Sequence, residues 1–147
     1  MPDGVVLAFD FGTQRIGVAI GEMMLGHARP LTTIAGASND VRFSAIAKLI
    51  AEWQPTRLVV GLPLSLGGED HEMTDRCRRF ARQLEGRYKL PVTMVDERLS
   101  STAAEEGLRD RGGPWQDRRT RIDAEAASIL LQSYFDESQH ELATSRR

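Results

Sequence analysis

One acid set inside an otherwise apolar run constrains this chain more than any other feature. Residues 5–22 read VVLAFDFGTQRIGVAIGE. Val5, Val6, Leu7, Ala8 and Phe9 form a continuous apolar run, which suits a strand covered on both faces. Asp10 breaks it. A charge in a buried strand is costly unless it is paired or holds a metal. Gly12, Thr13 and Gln14 then supply turn chemistry, and a β-branched pattern resumes from Arg15 to Ile20. The segment predicts two adjacent strands joined by a tight turn, with Asp10 in want of a reason.

The rest of the chain alternates strands with helices. Gly26 to Ile34 reads as a third strand, and Pro30 marks it as an edge. Ser38, Asn39 and Asp40 offer helix caps. Ile46, Leu49, Ile50 and Trp53 keep helical spacing until Pro55 stops the helix. Arg57 to Leu62 is a short buried strand, and Pro63 to Gly68 is a loop. A second helix is expected from about Glu69 to Tyr88, with Met73, Cys77, Phe80, Ala81, Leu84 and Tyr88 on one face and Arg78, Arg79 and Arg82 opposite. Val92 to Val95 is another strand, ending in Asp96 and Glu97. Ser100, Ser101 or Thr102 can cap a third helix reaching about Asp110, which Gly112, Gly113 and Pro114 break. The last helix is expected from near Thr120 to about Phe135.

Strands joined through helices of this length are mostly parallel, because the crossover returns the chain to the same end. The first three strands have no helix between them and can be antiparallel. A mixed sheet covered by helices follows. Binding sites in open α/β sheets lie at the carboxyl ends of strands, so Asp10 and Glu97 can meet at one edge.

The last helix carries a third acid out of place. Asp123, Ala126, Ala127, Leu130 and Tyr134 fall at i, i+3, i+4, i+7 and i+11, one stripe that is otherwise apolar. A first-turn acid also complements the helix dipole, but Glu125 can do that from the solvent side. Three acids on one rim would repel one another, and some would hold protons. A hard divalent cation such as Mg²⁺ removes that conflict, since it takes oxygen ligands and is held by a few carboxylates plus substrate phosphates. Such clusters support metal-assisted phosphodiester hydrolysis.

Bulk properties narrow the partners. The chain has 147 residues, 41% hydrophobic and 27% charged, enough for one domain with a substantial core. A net charge of −2 excludes a general cationic coat but not a local basic face. Cys77 is the single cysteine, so neither an internal disulfide nor a cysteine zinc site is available; core packing is its ordinary use. With no signal-peptide pattern and no membrane-length apolar run, a soluble cytoplasmic protein is expected. Residues 1–138 read as a single domain, and 139–147 as a polar tail.

Four segments together carry a resemblance: FDFGTQRIGVAIGE, VVGLPLSLGG, VDERLSS followed by AAEEGL, and IDAEAASILLQSYF. In that order and spacing, from about Val5 to Phe135, the chain resembles the YqgF-type family of pre-16S ribosomal RNA nucleases, also described as Holliday-junction-resolvase-like. The resemblance implies a ribonuclease-H-like α/β fold, a mixed five-stranded sheet flanked by helices on both faces. It implies a catalytic triad holding Mg²⁺ or Mn²⁺ that lands on Asp10, Glu97 and Asp123. It also implies a role in maturing the 5′ end of 16S ribosomal RNA in the bacterial cytoplasm. Family members often carry an Asn-Met-Asp-Gly run where this chain has Ser65, Leu66, Gly67 and Gly68. An additional hydroxyl residue, Ser101, stands ahead of Thr102.

Several cationic residues are candidate nucleic-acid contacts. Arg15 and Arg98 lie beside the proposed acids and suit either a phosphate or a neighbouring surface acid. Trp115, Arg118 and Arg119 sit among other arginines around the Gly112–Trp115 loop; a flexible basic loop with one aromatic suits a nucleic-acid backbone, although a charge run is more often a solvated face. His27, His71 and His140 are scattered, with no ligand spacing. The expected partner is nucleic acid, precursor ribosomal RNA first, with the protein a monomer or homodimer. Branched DNA cleaved by a dimeric junction resolvase is the alternative substrate. A non-catalytic RNA-binding assembly factor is the alternative of another class. The Asp10-Phe11-Gly12-Thr13 run also resembles the phosphate loop of sugar kinases and related ATPases, but those clasp nucleotide between two domains, and this length suits one.

Overall fold

The structure is a computed structural model that describes residues 4–12, 14–36, 38–62, 72–96 and 115–145, with side chains of the last helix described over 122–137. The elements run β1 (Val5–Phe11), β2 (Arg15–Glu22), β3 (His27–Ala35), α1 (Asn39–Trp53), β4 (Arg57–Leu62), α2 (Glu72–Tyr88), β5 (Val92–Asp96) and α3 (Trp115–Ser145). The strands form one sheet in the order β3-β2-β1-β4-β5. β1 pairs antiparallel with β2, and β2 with β3; β1 pairs parallel with β4, and β4 with β5. The expected mixed sheet is therefore present, its two parallel pairings separated in sequence by helices. Pro30 does lie on an edge strand. The register slips beside it, where Val18 faces Thr32 but Ala19 faces Pro30, so Leu31 is the extra residue of a bulge that accommodates the missing donor.

Alternation along β1 sends the apolar run to two cores. Leu7 and Phe9 join Ile16, Val18, Ile20, Leu58, Val60, Phe43, Ile46, Phe80 and Leu84 on the side covered by α1 and α2. Val6 and Ala8 join Ala19, Val59, Val95, Ala127, Leu130, Leu131 and Phe135 on the side covered by α3. Val6 to Phe9 are fully buried, and burial of a side chain as large as Phe9 is worth about 1.5–3 kcal/mol. Cys77 is buried on α2, in keeping with its expected use in packing.

α3 packs against all five strands. Two glycines of β2 permit this. A Cβ at Gly21 would stand 2.6 Å from the Phe135 ring, and one at Gly17 would collide with the backbone of Asp123. Those two contacts place α3 along β2 and in the same sense. The helix is longer than its apolar stripe suggests. It begins at Trp115 rather than near Thr120 and continues past Phe135 to Ser145. Consequently Trp115, Arg118 and Arg119 belong to the first turns of a helix and not to a loop. Asp117 fits such a start, since an early acid complements the dipole. Ser38 caps α1 through its backbone geometry alone, its side chain making no cap hydrogen bond, and Gln54 closes the helix in the left-handed region at φ 48°. The expected helix at 100–110 and the Pro63–Gly68 loop lie outside the described residues. No helix among the described residues is long and apolar enough to cross a membrane.

Candidate active site

Asp10 stands two residues beyond Ala8 on β1 and so continues the set of side chains that faces α3. Its partner across the antiparallel ladder is Gly17, and directly opposed residues share a face. Gly17 is where the backbone of Asp123 comes down on the sheet. A single glycine thus separates the two acids: it faces Asp10 along the ladder and touches Asp123 across the helix–sheet interface. Both carboxylates are brought to the rim formed by the end of β1, the beginning of β2 and the early turns of α3. Both residues are half-buried, which keeps them reachable from solvent.

Arg15, at the first position of β2, completes what the described residues show. Its Nε donates to Oδ2 of Asp123 at 2.5 Å, with 35% and 22% of the two side chains exposed. The ion pair fixes one carboxylate oxygen and leaves the other available. Of the two readings of Arg15, the pairing with a nearby acid is the one visible in the structure.

The donor set suits a hard divalent ion, because carboxylate oxygens are what Mg²⁺ or Mn²⁺ takes. Among the described residues no three His, Cys, Asp or Glu side chains are grouped to hold a metal. Asp10 and Asp123 supply two. Glu97 and Arg98 lie outside the described residues, and the side chains of Trp115, Arg118 and Arg119 do as well. His27 begins β3, at the opposite end of the sheet from Asp10.

Arg42 is a residue that the sequence reading passed over. It is only 4% exposed. Its Nη2 donates to the Gly12 carbonyl at 2.6 Å and its Nε to the Gly36 carbonyl at 2.8 Å, and its guanidinium stacks over Phe11 with 5.2 Å to the ring centroid. Burial pulls its pKa below the ordinary arginine value. The residue ties the β1–β2 turn to the segment between β3 and α1, and so holds the turn that follows Asp10. Its signal was available: Arg42, Ile46, Leu49, Ile50 and Trp53 share one helical stripe.

A family model described as "RuvX: Holliday junction resolvase" matches residues 4–137. A protein of Methylobacillus flagellatus named "Putative pre-16S rRNA nuclease" is 57% identical over 133 residues, covering 90% of this chain and 91% of the relative. A Dechloromonas aromatica protein of the same name is 51% identical over 141 residues, covering 96% and 97%. Among solved structures, Thermus thermophilus RuvC in complex with a Holliday junction substrate aligns with a TM-score of 0.55 at 16% identity, over 92% of this chain and 96% of that one. That likeness is one of fold, and it matches the ribonuclease-H-like arrangement expected above.

Proposed function

The chain belongs to the RuvX family and is a nuclease, and from that premise we propose that it is a metal-dependent endonuclease acting in 5′-end maturation of pre-16S ribosomal RNA in the cytoplasm. The observation that supports this most is the meeting of Asp10 and Asp123 at Gly17. In this reading Asp10, Asp123 and Glu97 hold a Mg²⁺ or Mn²⁺ ion. For Glu97 the support is its place in the sequence, directly after Asp96, the last residue of β5. When bound, such an ion polarises the phosphoryl oxygen and lowers the pKa of the attacking water.

The chain's own residues do the positioning. Gly17 sets the spacing of the two acids, Arg15 orients the Asp123 carboxylate, and Arg42 steadies the Gly12 turn. Arg15, Arg98, Trp115, Arg118 and Arg119 are proposed contacts to the nucleic acid around the rim. The products are a 5′-phosphate and a 3′-hydroxyl.

The test compares wild-type and Asp10→Asn protein on precursor 16S RNA, with and without Mg²⁺. Loss of an anionic ligand to the ion should lower cleavage by at least about a hundredfold, or roughly 2.7 kcal/mol of barrier. Full metal-dependent activity in Asp10→Asn would refute the assignment. The family's description favours a second reading, a resolvase of branched DNA. Paired cuts across a junction need two symmetric sites, so a four-way DNA substrate belongs in the same assay, with the oligomeric state measured beside it. A monomer that cuts only RNA rules the resolvase reading out. A protein that binds precursor RNA yet cleaves neither substrate would instead be an assembly factor.

A further inference from the structure

The sheet edge that carries the acids has a second side. Phe11 follows Asp10 and points the other way, into the side covered by α1 and α2. There it meets a groove of about 290 Å³ lined by Phe11, Asn39, Arg42, Phe43, Arg76, Arg79, Phe80 and Gln83. Of these described residues three are arginines and none is an acid, in a chain whose net charge is −2. Phe80 lies 4.8 Å from Phe11 and 6.1 Å from Phe43, ring centre to ring centre, so the aromatic rings form the groove's floor. Arg42 is fixed in its wall by two carbonyl bonds. Arg76, Arg79 and Gln83 project from one stripe of α2, at i, i+3 and i+7.

The occupant can be read from the free charges. Among the described residues Arg76 is held by one exposed i, i+4 pair with Glu72 at 2.8 Å, a weak surface bridge readily exchanged for a phosphate. Arg79 is exposed and makes no ion pair among the described residues. An aromatic floor already covered by Arg42 leaves little face for a base, so the groove favours phosphate over stacking. Guanidinium groups bind phosphate in a fork geometry.

We propose that Arg76 and Arg79, with Arg42 behind them, bind the phosphodiester backbone of the substrate strand where it passes over the Gly12 turn from the acid rim to the α1–α2 side. The inference rests on the nuclease reading for the identity of the strand, but its test does not. Binding of a short labelled single-stranded RNA, and of a DNA of the same sequence, is followed by fluorescence anisotropy in EDTA across a salt series, where no metal-dependent cleavage occurs. Each phosphate contact to a single strand contributes about 0.7 to the slope of log affinity against log salt. Arg76→Ala/Arg79→Ala should therefore flatten the slope by about 1.4, which at 0.1 M salt is roughly a 25-fold loss of affinity. Arg76→Lys/Arg79→Lys should keep the slope. Arg82→Ala removes one charge from the same helix at a residue that does not line the groove, and should change neither quantity.

RNA and DNA should lose affinity alike, because the shared phosphate is what is bound. Unchanged affinity and slope in the double alanine variant would overturn the proposal. So would an equal loss in Arg82→Ala, or a loss confined to one of the two nucleic acids. Arg79→Gln alone reads half the slope change and stands in for the double variant if that one does not fold. Failure of this test leaves the cleavage assay on Asp10→Asn untouched, and failure of that assay leaves the binding result standing.

Discussion

Asp123 and Arg42 are charges set at core-facing helix positions, and each is satisfied by a different device. Asp123 sits at a rim, partly wet, against Arg15, whereas Arg42 is buried and bound to two carbonyls. The difference predicts different costs. Replacing Arg42 by Leu keeps the bulk but removes two hydrogen bonds from a charged donor, to the half-buried Gly12 and the exposed Gly36, and bonds to charged groups are worth about 1.5–3 kcal/mol each, the exposed one least. We expect a loss of roughly 2–4 kcal/mol, read from urea denaturation midpoints. Tyr88 gives a pH test at the same scale. Its hydroxyl donates to the Phe43 carbonyl at 3.0 Å, and burial raises its pKa above the ordinary 10.0 while the neighbouring Arg87 partly opposes the rise. A raised value means that the folded chain holds this proton more tightly than the unfolded chain. The contribution is thus complete below pH 10 and is lost as pH climbs through the folded value. Tyr88→Phe should be less stable at neutral pH by about 1 kcal/mol, but its stability should fall less steeply than that of the wild type above pH 10. Parallel alkaline declines would refute this.

At the scale of elements, what the sequence revealed depended on whether a residue announced its own environment. The β1 run, the edge position of β3 with its Pro30, and the stop of α1 before Pro55 were all legible from pattern and turn chemistry. Asp10 and Asp123 were legible because an acid within an apolar pattern is conspicuous. The ends of α3 were not. Beyond Phe135 the chain reads DESQHELATS, polar and without a stripe, yet rich in residues that prolong a helix already started. Before Thr120 the arginines suggested a solvated loop, although Asp117 suits a helix entrance. Gly17 was the least visible of all. Within a strand a glycine reads only as a weak point, and its purpose comes from a helix far away in sequence that lands on it. That purpose predicts a severe Gly17→Ala effect. A Cβ there meets the backbone of Asp123, which has no rotamer to escape into, so α3 must lift from β2. A cost of about 3 kcal/mol is expected, at the upper end for overpacking, together with a loss of cleavage larger than the residual folded fraction explains. Comparison of melting curves with activity measured well below the transition separates the two effects.

At the scale of the molecule, the sheet divides one apolar core held by two helices from another held, among the described residues, by α3. The proposed active site straddles that second interface, with Asp10 on the sheet and Asp123 on the helix. Tyr134 adds a tie farther along, its hydroxyl accepting from Arg57 of β4, and Gln132 another, bridging the Gly26 carbonyl and the Ala28 amide at 2.8 and 3.0 Å. The far end of α3 is therefore pinned by packing and hydrogen bonds, while the near end depends on the rim. An ion shared by Asp10 and Asp123 would close the near end as a clamp, so metal affinity and α3 docking should be one coupled quantity. At ten times its dissociation constant, an ion that binds only the folded chain adds about 1.4 kcal/mol of stability. Mg²⁺ should then raise the melting temperature of the wild type and slow amide exchange chiefly in the first half of α3. In Asp10→Asn and Asp123→Asn both responses should vanish, although the first variant leaves the helix and the second leaves the strand unaltered. An equal Mg²⁺ response in either variant would mean that the ion acts elsewhere, and that α3 docks by its apolar stripe without help from the rim.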